Sequence, residues 1–510
     1  MNNNESRSLN SLRNMSIGIA TQLIFLVVTF VSRTVFINTL GAEYLGLNGI
    51  LSSTLLVLSL AELGLSNVLV FSLYKPLSER NIKQVSNLLL YFRKLYKKII
   101  VLILIIGLLG MPFLNHITNS SISNSDIILF YVIFLSNTLL SYLIMHKVAL
   151  IQADQKNYLL QLTNLICSIL RDGIQIYLLL QYRNYLYYLL VLLFSTLLYN
   201  LLISLIVKNK YSEYMIHITT ERIDTIGIKE NIKSMFLYKI GVTLMNSSDN
   251  ILIAVIFGAV YVGFYSNYSL LISAVLVFMT AIVQALMASV GNLNSLGNIK
   301  KSYEFFNVLL LVFQLIATIC SLCMVFVLND FITIWIGKEY ILSDSIVFLI
   351  ILNFYIQSIV NPVWMYRETF GLFSKMKYIM LYSTFIKVIL SFILGYLLGI
   401  EGIFIATILA RLFTTIWYEP MLLFNKIFKQ TVHNYWIRQG KYILFTIISY
   451  IIVNYLIDHI ILSNQIIQIA LKIIISVIIV SMLFVIGNYK SEEFKQLKNI
   501  FKSIIIRFLR

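Results

Sequence analysis

Charged side chains are scarce in this sequence: they make up 12% of its 510 residues, against about 25% in an average soluble domain. Hydrophobic residues take 59%, more than a water-soluble fold can bury, and no polar stretch is long enough for a sizeable soluble domain. Acids are scarcer than bases, 22 against 39, which leaves a net charge of +17. Such a surplus suits nucleic acid only if the bases form one folded face. Here they lie in strips between apolar runs, as membrane topology requires, and no nucleic-acid partner is expected. Cysteine is limited to Cys167, Cys320 and Cys323, all inside apolar runs. The Cys-x-x-Cys spacing of the last two has no second ligand pair and no histidine nearby, so it reads as packing rather than zinc binding. Neither a metal nor a cofactor is expected. Nor is the first apolar run expected to be a removable leader: residues 15–40 exceed a signal-peptide core and precede no small-residue cleavage site. It should stay in place as the first helix.

What is present is a train of apolar runs. A spanning helix needs about 20 mostly apolar residues. The runs predict fourteen, at about residues 15–40, 48–73, 95–114, 126–149, 157–180, 185–207 and 234–257, then 264–289, 305–328, 345–366, 378–398, 402–421, 442–460 and 465–487. Sorting the bases tests this count. With a cytoplasmic N-terminus, and bases at the cytoplasmic end of a helix counted with the adjoining loop, 32 of the 39 fall in cytoplasmic segments, two (Arg183 and Lys338) in outer loops and five deep within helices. A miscounted helix would scramble that alternation. The expectation is a multi-pass protein of a bacterial cytoplasmic membrane with both termini inside.

The turn after the first helix returns later in the chain. Gly41-Ala42-Glu43-Tyr44-Leu45-Gly46 and Gly258-Ala259-Val260-Tyr261-Val262-Gly263 share four of six residues at an offset of 217. The same offset carries the end of helix 6, near Lys208, onto Asn425 at the end of helix 12. The fold expected is all-α integral membrane. Two six-helix lobes, residues 1–208 and 234–425, are joined by a cytoplasmic linker, 209–233, and related by a pseudo-two-fold axis along the membrane normal. Two further helices occupy 426–488. From Tyr489 onward, Phe494, Leu497, Phe501, Ile504 and Phe508 recur at steps of three and four, with Lys495, Lys498, Lys502, Arg507 and Arg510 between them. Residues 489–510 therefore read as a basic amphipathic helix on the anionic inner leaflet.

Bases inside the membrane mark the candidate site. Each costs about 2.5–3.5 kcal/mol at a helix centre, so Arg33, Arg171, Lys387, Arg411 and Lys472 would together cost on the order of 10 kcal/mol against lipid. A polar interior is expected to hold them. Polar neighbours share their faces at helical spacing: Gln22 and Thr29 with Arg33; Asn48, Ser52, Ser59 and Ser66 with Glu62; Asn157, Gln161, Asn164, Ser168 and Gln175 with Arg171. Helix 7 adds Lys239, Thr243, Asn246 and Asn250 beside Asp249, and helix 8 adds Ser266, Ser273, Thr280 and Gln284. Single Ser and Thr residues in such stripes serve helix packing. For the ionised residues the alternative is structural ion pairing, yet only Glu62, Asp172 and Asp249 stand clearly available to five bases. Arg171 and Asp172 point about 100° apart on a helix and are not expected to neutralise one another.

The expected substrate-binding cavity is thus lined by Arg33, Glu62, Arg171, Asp249, Asn250, Lys387, Arg411, Gln284 and Asn48, with positive charge in surplus. It suits a ligand anionic at one end and polyhydroxylated elsewhere, such as a diphosphate-linked sugar. Guanidinium groups take phosphate, while amides and aromatic rings take sugar hydroxyls and faces. Asn361-Pro362 breaks the backbone ladder of helix 10, a kink able to serve as a hinge.

Four segments carry a family resemblance: residues 38–44; Leu58-Ser59-Leu60-Ala61-Glu62-Leu63-Gly64-Leu65-Ser66; Leu73-Tyr74-Lys75-Pro76-Leu77; and Ser248-Asp249-Asn250 through Gly263-Phe264-Tyr265-Ser266-Asn267-Tyr268. With them the chain resembles, over nearly its whole length, Wzx-type polysaccharide repeat-unit flippases of the multidrug/oligosaccharidyl-lipid/polysaccharide flippase superfamily. The resemblance implies two lobes around a cationic cavity that alternates between inward and outward states. The cargo it implies is an undecaprenyl-diphosphate-linked oligosaccharide, bound for capsule, exopolysaccharide or a similar surface glycan. It places Arg33, Asp249 and Asn250 at the cavity, and membrane lipids and the lipid-linked sugar as partners. Relatives couple transport to an H+ or Na+ gradient, although no separate cation-site signature is visible in this sequence. Enzymatic chemistry is not implied.

Two other readings remain open. A MATE-like drug exporter of the same superfamily would favour acids in its cavity and stop at twelve helices. A membrane glycan polymerase or ligase would need a sizeable outer loop. The longest here, about residues 329–344, offers Asp330, Glu339 and Asp344 at no catalytic spacing.

Overall fold

The computed structural model describes residues 3–58, 65–216, 226–295, 298–458 and 464–499. Every regular element among them is helical. By contact the chain divides into two compact units, Met1–Ser266 and Asn267–Arg510.

The first unit holds α1 (Asn3–Leu58), α2 (Leu65–Ser78), α3 (Ile82–Gly110), α4 (Leu114–Thr118), α5 (Asn124–Tyr142), α6 (Met145–Ala153), α7 (Asn157–Tyr182), α8 (Tyr185–Lys210), α9 (Glu213–Ile216), α10 (Ile226–Phe257) and the start of α11 (Ala259–Ser295). Short polar side chains start several of them: Asn81 accepts from the Gln84 N–H at 3.0 Å and Asn184 from the Leu186 N–H at 2.8 Å, occupying donors that the first helical turn leaves open. α1 lies along both α7 and α10, and α7 along α8. The unit boundary therefore groups α10 with the first helices, whereas the sequence alone starts a second lobe at residue 234.

The repeated turns meet each other inside this unit. Gly41, with φ 83° and ψ −178°, breaks α1, and its counterpart Gly258, with φ 94°, separates α10 from α11; both conformations suit glycine alone. A Cβ placed on Gly46 would fall 1.7 Å from the Ala259 carbonyl oxygen, and one placed on Gly263 would fall 2.1 Å from that of Ala42. The contact is reciprocal, because Ala42 and Gly46 become Ala259 and Gly263 under the 217-residue offset. Gly46→Val is expected to cost at least the ~1–3 kcal/mol of an overpacked core, since backbone rather than a flexible side chain stands in the way. A Cβ on Gly440 meets nothing within 4 Å, so Gly440→Ala should match or slightly exceed the parent. Thermal unfolding of the detergent-purified proteins checks both.

The second unit holds α12 (Ile299–Trp335), α13 (Asp344–Ile359), α14 (Asn361–Thr369), α15 (Lys377–Leu398), α16 (Ile400–Phe413), α17 (Thr415–Leu423), α18 (His433–Ile457) and α19 (Gln465–Asn488). α12 packs against α13, α18 and α19. Leu322, Val453, Ile457 and Val480 form one apolar cluster there. Gln314 forms a polar node, its amide nitrogen lying 2.9 Å from the Tyr355 hydroxyl, 2.8 Å from the Thr446 hydroxyl and 3.0 Å from the Tyr442 carbonyl. Pro362 sits in the first turn of α14, where its missing N–H is tolerated. The single tenth helix expected from sequence is accordingly two, α13 and α14.

Twelve helical stretches among the described residues are long and apolar enough to cross a membrane, in an all-α integral membrane fold. Two of the fourteen expected spans, the second and the fifth, are not counted separately among them. Residues 20–57 form one stretch despite the break at Gly41, and 59–64, in the middle of the expected second span, lie outside the described residues. α7 is 26 residues long, but its polar stripe lowers its apolarity below that of the others. At the far end, residues 492–499 are helical, and Arg438 pairs with Glu493 at 2.6 Å. The rest of the expected amphipathic tail, with Phe501, Ile504 and Phe508, lies outside the described residues, as do 217–225 of the linker.

Candidate functional site

Thr29, Ser32, Arg33 and Phe36 share one face of α1 before its break, and Leu45 and Asn48 follow after it. The break at Gly41 turns both segments toward the same space, where Arg171 and Asp172 of α7 and Tyr188 of α8 complete a cavity of about 90 Å³. Arg33 is half-buried and donates from Nη1 to the Ser266 hydroxyl at 3.1 Å; that hydroxyl in turn donates to the Gly263 carbonyl at 2.9 Å. Among the described residues Arg33 forms no ion pair.

Arg171 differs from expectation: its Nε donates to Asp172 Oδ1 at 2.7 Å. Their Cβ atoms do diverge by about 100°, but a guanidinium on three methylenes is long enough to fold back over the next side chain. Asp172 is almost fully buried, and its Oδ2 finds no hydrogen-bond partner among the described residues. Two guanidinium groups against one carboxylate leave the cavity with a formal charge of +1.

Aromatic rings make one wall. Tyr188 meets Phe36 edge-on at 4.9 Å and stacks on Tyr185 at 5.9 Å. The Tyr185 hydroxyl donates to Asn48 Oδ1 at 3.0 Å, which leaves the Asn48 amide nitrogen for other acceptors. Gln175 donates to the Tyr188 carbonyl at 2.9 Å, tying α7 to α8 behind the ring. The site combines surplus positive charge, an amide and a half-exposed aromatic face.

No family model matches this sequence, and no curated protein matches it. Solved structures do. The lipid II flippase MurJ, in an inward closed conformation, aligns with a TM-score of 0.64 over 92% of this chain and 99% of that one, at 16% identity. An inward-facing multidrug resistance MATE family transporter of the MOP superfamily gives 0.63 over 80% of this chain and 98% of that one, at 12% identity. The fold is the one that these two transporters share. A MOP superfamily transporter from Pyrococcus furiosus, with a binding pocket of reverse polarity, gives 0.57 over 83% of this chain and 96% of that one at 12% identity.

The remaining residues expected at the cavity are not in its lining. Asn250, half-buried on α10, donates to the Ser53 hydroxyl at 2.9 Å and so ties α10 to α1. Asp249 beside it is half-buried, and Gln284 is exposed on α11. Lys387 is fully buried on α15, and Arg411 half-buried on α16, two helices of the second unit that pack together. Neither lines the cavity. Glu62 lies outside the described residues.

The supply of acids is larger than the three counted from sequence. Lys472 pairs with Asp330 at 2.6 Å. Arg367, counted from sequence among the cytoplasmic loop bases, is 0% exposed on α14 and pairs with Glu419 of α17 at 2.9 Å and with Glu368 at 2.7 Å. The available signal was Glu419 itself, an acid inside the apolar run 402–421, where an unpaired carboxylate is too costly to persist.

Proposed function

We propose that this chain is a flippase carrying undecaprenyl-diphosphate-linked oligosaccharide repeat units from the cytoplasmic to the outer leaflet by alternating access, for capsule, exopolysaccharide or similar surface-glycan export. The observation that carries the reading is the cavity's charge. Arg33, held by a neutral hydroxyl, can exchange Ser266 for a phosphate oxygen and gain a charge-assisted bond. Arg171, already neutralised by Asp172, orients rather than attracts. Asn48 and the Tyr188 ring suit the sugar. A space of about 90 Å³ takes a phosphate group and not an oligosaccharide, so the cycle must open it.

The fold shared with a lipid II flippase supports a lipid-linked cargo. An exporter of cationic drugs would instead need acids in surplus, and the Pyrococcus neighbour, titled for a pocket of reverse polarity and a different function, supports pocket charge as the discriminator. We further propose two duplicated six-helix lobes, supported by the matched glycine conformations and the reciprocal contact of the repeated turns, and coupling to an H+ or Na+ gradient.

Expression in a strain lacking its own repeat-unit flippase should restore surface polysaccharide. Resistance to cationic drugs without surface glycan would replace this reading with the exporter. The positive-inside bias sets a second expectation. A cysteine introduced at Asn3 or Ser503 should resist an impermeant thiol reagent in intact cells and react after permeabilisation; ready labelling of intact cells would invert the proposed topology.

A further inference from the structure

A second cavity of the first unit, about 640 Å³ and separate from the one described above, lies among α3, α6, α8 and α9. Arg93, Lys97, Lys147 and Lys208 line it, and no carboxylate does. Among the described residues none of the four forms an ion pair. Lys147 alone has a hydrogen bond to a side chain, donating from Nζ to the Ser204 hydroxyl at 2.9 Å. The frame around them is fixed. The Ser86 hydroxyl donates to the Tyr214 carbonyl at 2.8 Å, joining α3 to α9, and the Asn200 amide to the Leu140 carbonyl at 2.8 Å, joining α8 to α5.

His146 sits in the lining at 6% exposure, and its Nδ1 is buried without a hydrogen-bond partner. Burial, with Lys147 and Arg93 adding to it, holds this imidazole down at about 4, so it is neutral at pH 7. Burial and Arg93 also lower Lys147. Both shifts have the sign expected where positive charge is crowded and unanswered. Ile100, Leu143, Ile144, Val207 and Met215 give it an apolar wall, beside Tyr96, Tyr142 and Ser212.

We infer that this cavity binds an anionic glycerophospholipid of the inner leaflet, its phosphodiester among Arg93, Lys97, Lys147 and Lys208 and the start of an acyl chain along Ile100, Leu143 and Val207. A free phosphate would use the bases and leave the apolar wall unused; a zwitterionic lipid would bring its own cation into a cavity that holds no acid. Basic recesses between spanning helices on the cytoplasmic side are physically suited to such headgroups, and the bases here belong to the strips assigned to that side. The site is independent of the cargo and of the transport reading.

The test uses full-length protein in detergent and the 1:1 adduct with dioleoyl phosphatidylglycerol, counted by native mass spectrometry. The variant Arg93→Gln/Lys97→Gln/Lys208→Gln changes only exposed residues. Lys83→Gln/Lys94→Gln/Lys98→Gln removes the same charge from exposed positions outside the cavity. Affinity should fall on the order of a hundredfold in the first, at roughly fivefold per base, and by little in the second, while dioleoyl phosphatidylcholine should give no saturable adduct. Equal losses in the two triple variants, or none in either, would overturn the site. Binding of inorganic phosphate that blocks phosphatidylglycerol at similar concentration would overturn the lipid assignment. Displacement of phosphatidylglycerol by equimolar undecaprenyl diphosphate would reassign the cavity to the cargo's path.

Discussion

Arg33→Ala is expected to abolish surface-polysaccharide rescue while leaving the protein in the membrane at near-parental level. A hydrogen bond to a charged group is worth about 1.5–3 kcal/mol, and each 1.4 kcal/mol is about a factor of ten in affinity, so cargo binding should weaken by tens to about a hundredfold. The residue's one side-chain hydrogen bond among the described residues goes to Ser266, whose hydroxyl keeps its own bond to the Gly263 carbonyl. Ser266→Ala should therefore retain transport, and Arg33→Lys should retain part of it, because the charge remains while the two-pronged geometry is lost. Complementation scored by surface glycan, with an immunoblot for protein level, separates the cases. If Ser266→Ala fails as completely as Arg33→Ala, the guanidinium is a strut between α1 and α11 and leaves the binding site. Full rescue by Arg33→Ala would remove it from the mechanism altogether.

Glu419→Ala should produce the largest loss of stability. It strips the main partner from a guanidinium that is 0% exposed, and breaking such a pair from one side costs about 3–5 kcal/mol because the remaining charge stays buried. Glu368, a quarter exposed, cannot make up the difference. Replacing both partners, Arg367→Met with Glu419→Leu, should recover most of the loss. Thermal unfolding in detergent is the measurement. A single variant that unfolds within a degree of the parent would show that water reaches Arg367, and a double variant no better than the single would show that the pair fixes the α14–α17 packing by shape as well as by charge.

Helicity, the apolar spans and the repeated turn were all legible in the sequence, because each is written in local periodicity. Even the convergence of Arg33, Asn48 and Arg171 on one cavity follows from polar stripes on neighbouring helices. Pairings between distant segments were not legible. Lys472 finds Asp330 across 142 positions and Arg367 finds Glu419 across 52, and nothing in either local pattern names the other. Arg171 and Asp172 show a different failure: the angular argument concerned Cβ directions, and a long side chain escapes it. Lys387 and Arg411 are not in the lining of this cavity, which first-unit residues form; a stripe fixes which residues share a helix face but not which helix that face meets.

The glycine seam has a consequence for descent. A contact in which the alanine of each turn meets the glycine of the other is self-complementary, the kind of surface that two copies of one chain use to form an isologous dimer. Duplication and fusion of such a half-length ancestor would keep the seam and release the halves from identity. In such a single-chain ancestor every substitution at this contact would have acted twice, restricting change to residues tolerable on both sides of the contact. Fusion would let each position answer for itself. The cavity fits that expectation: the counterpart of Arg33 under the 217-residue offset is Asn250. The first reaches the cavity with a charge, and the second ties α10 to α1 through Ser53 with a neutral amide.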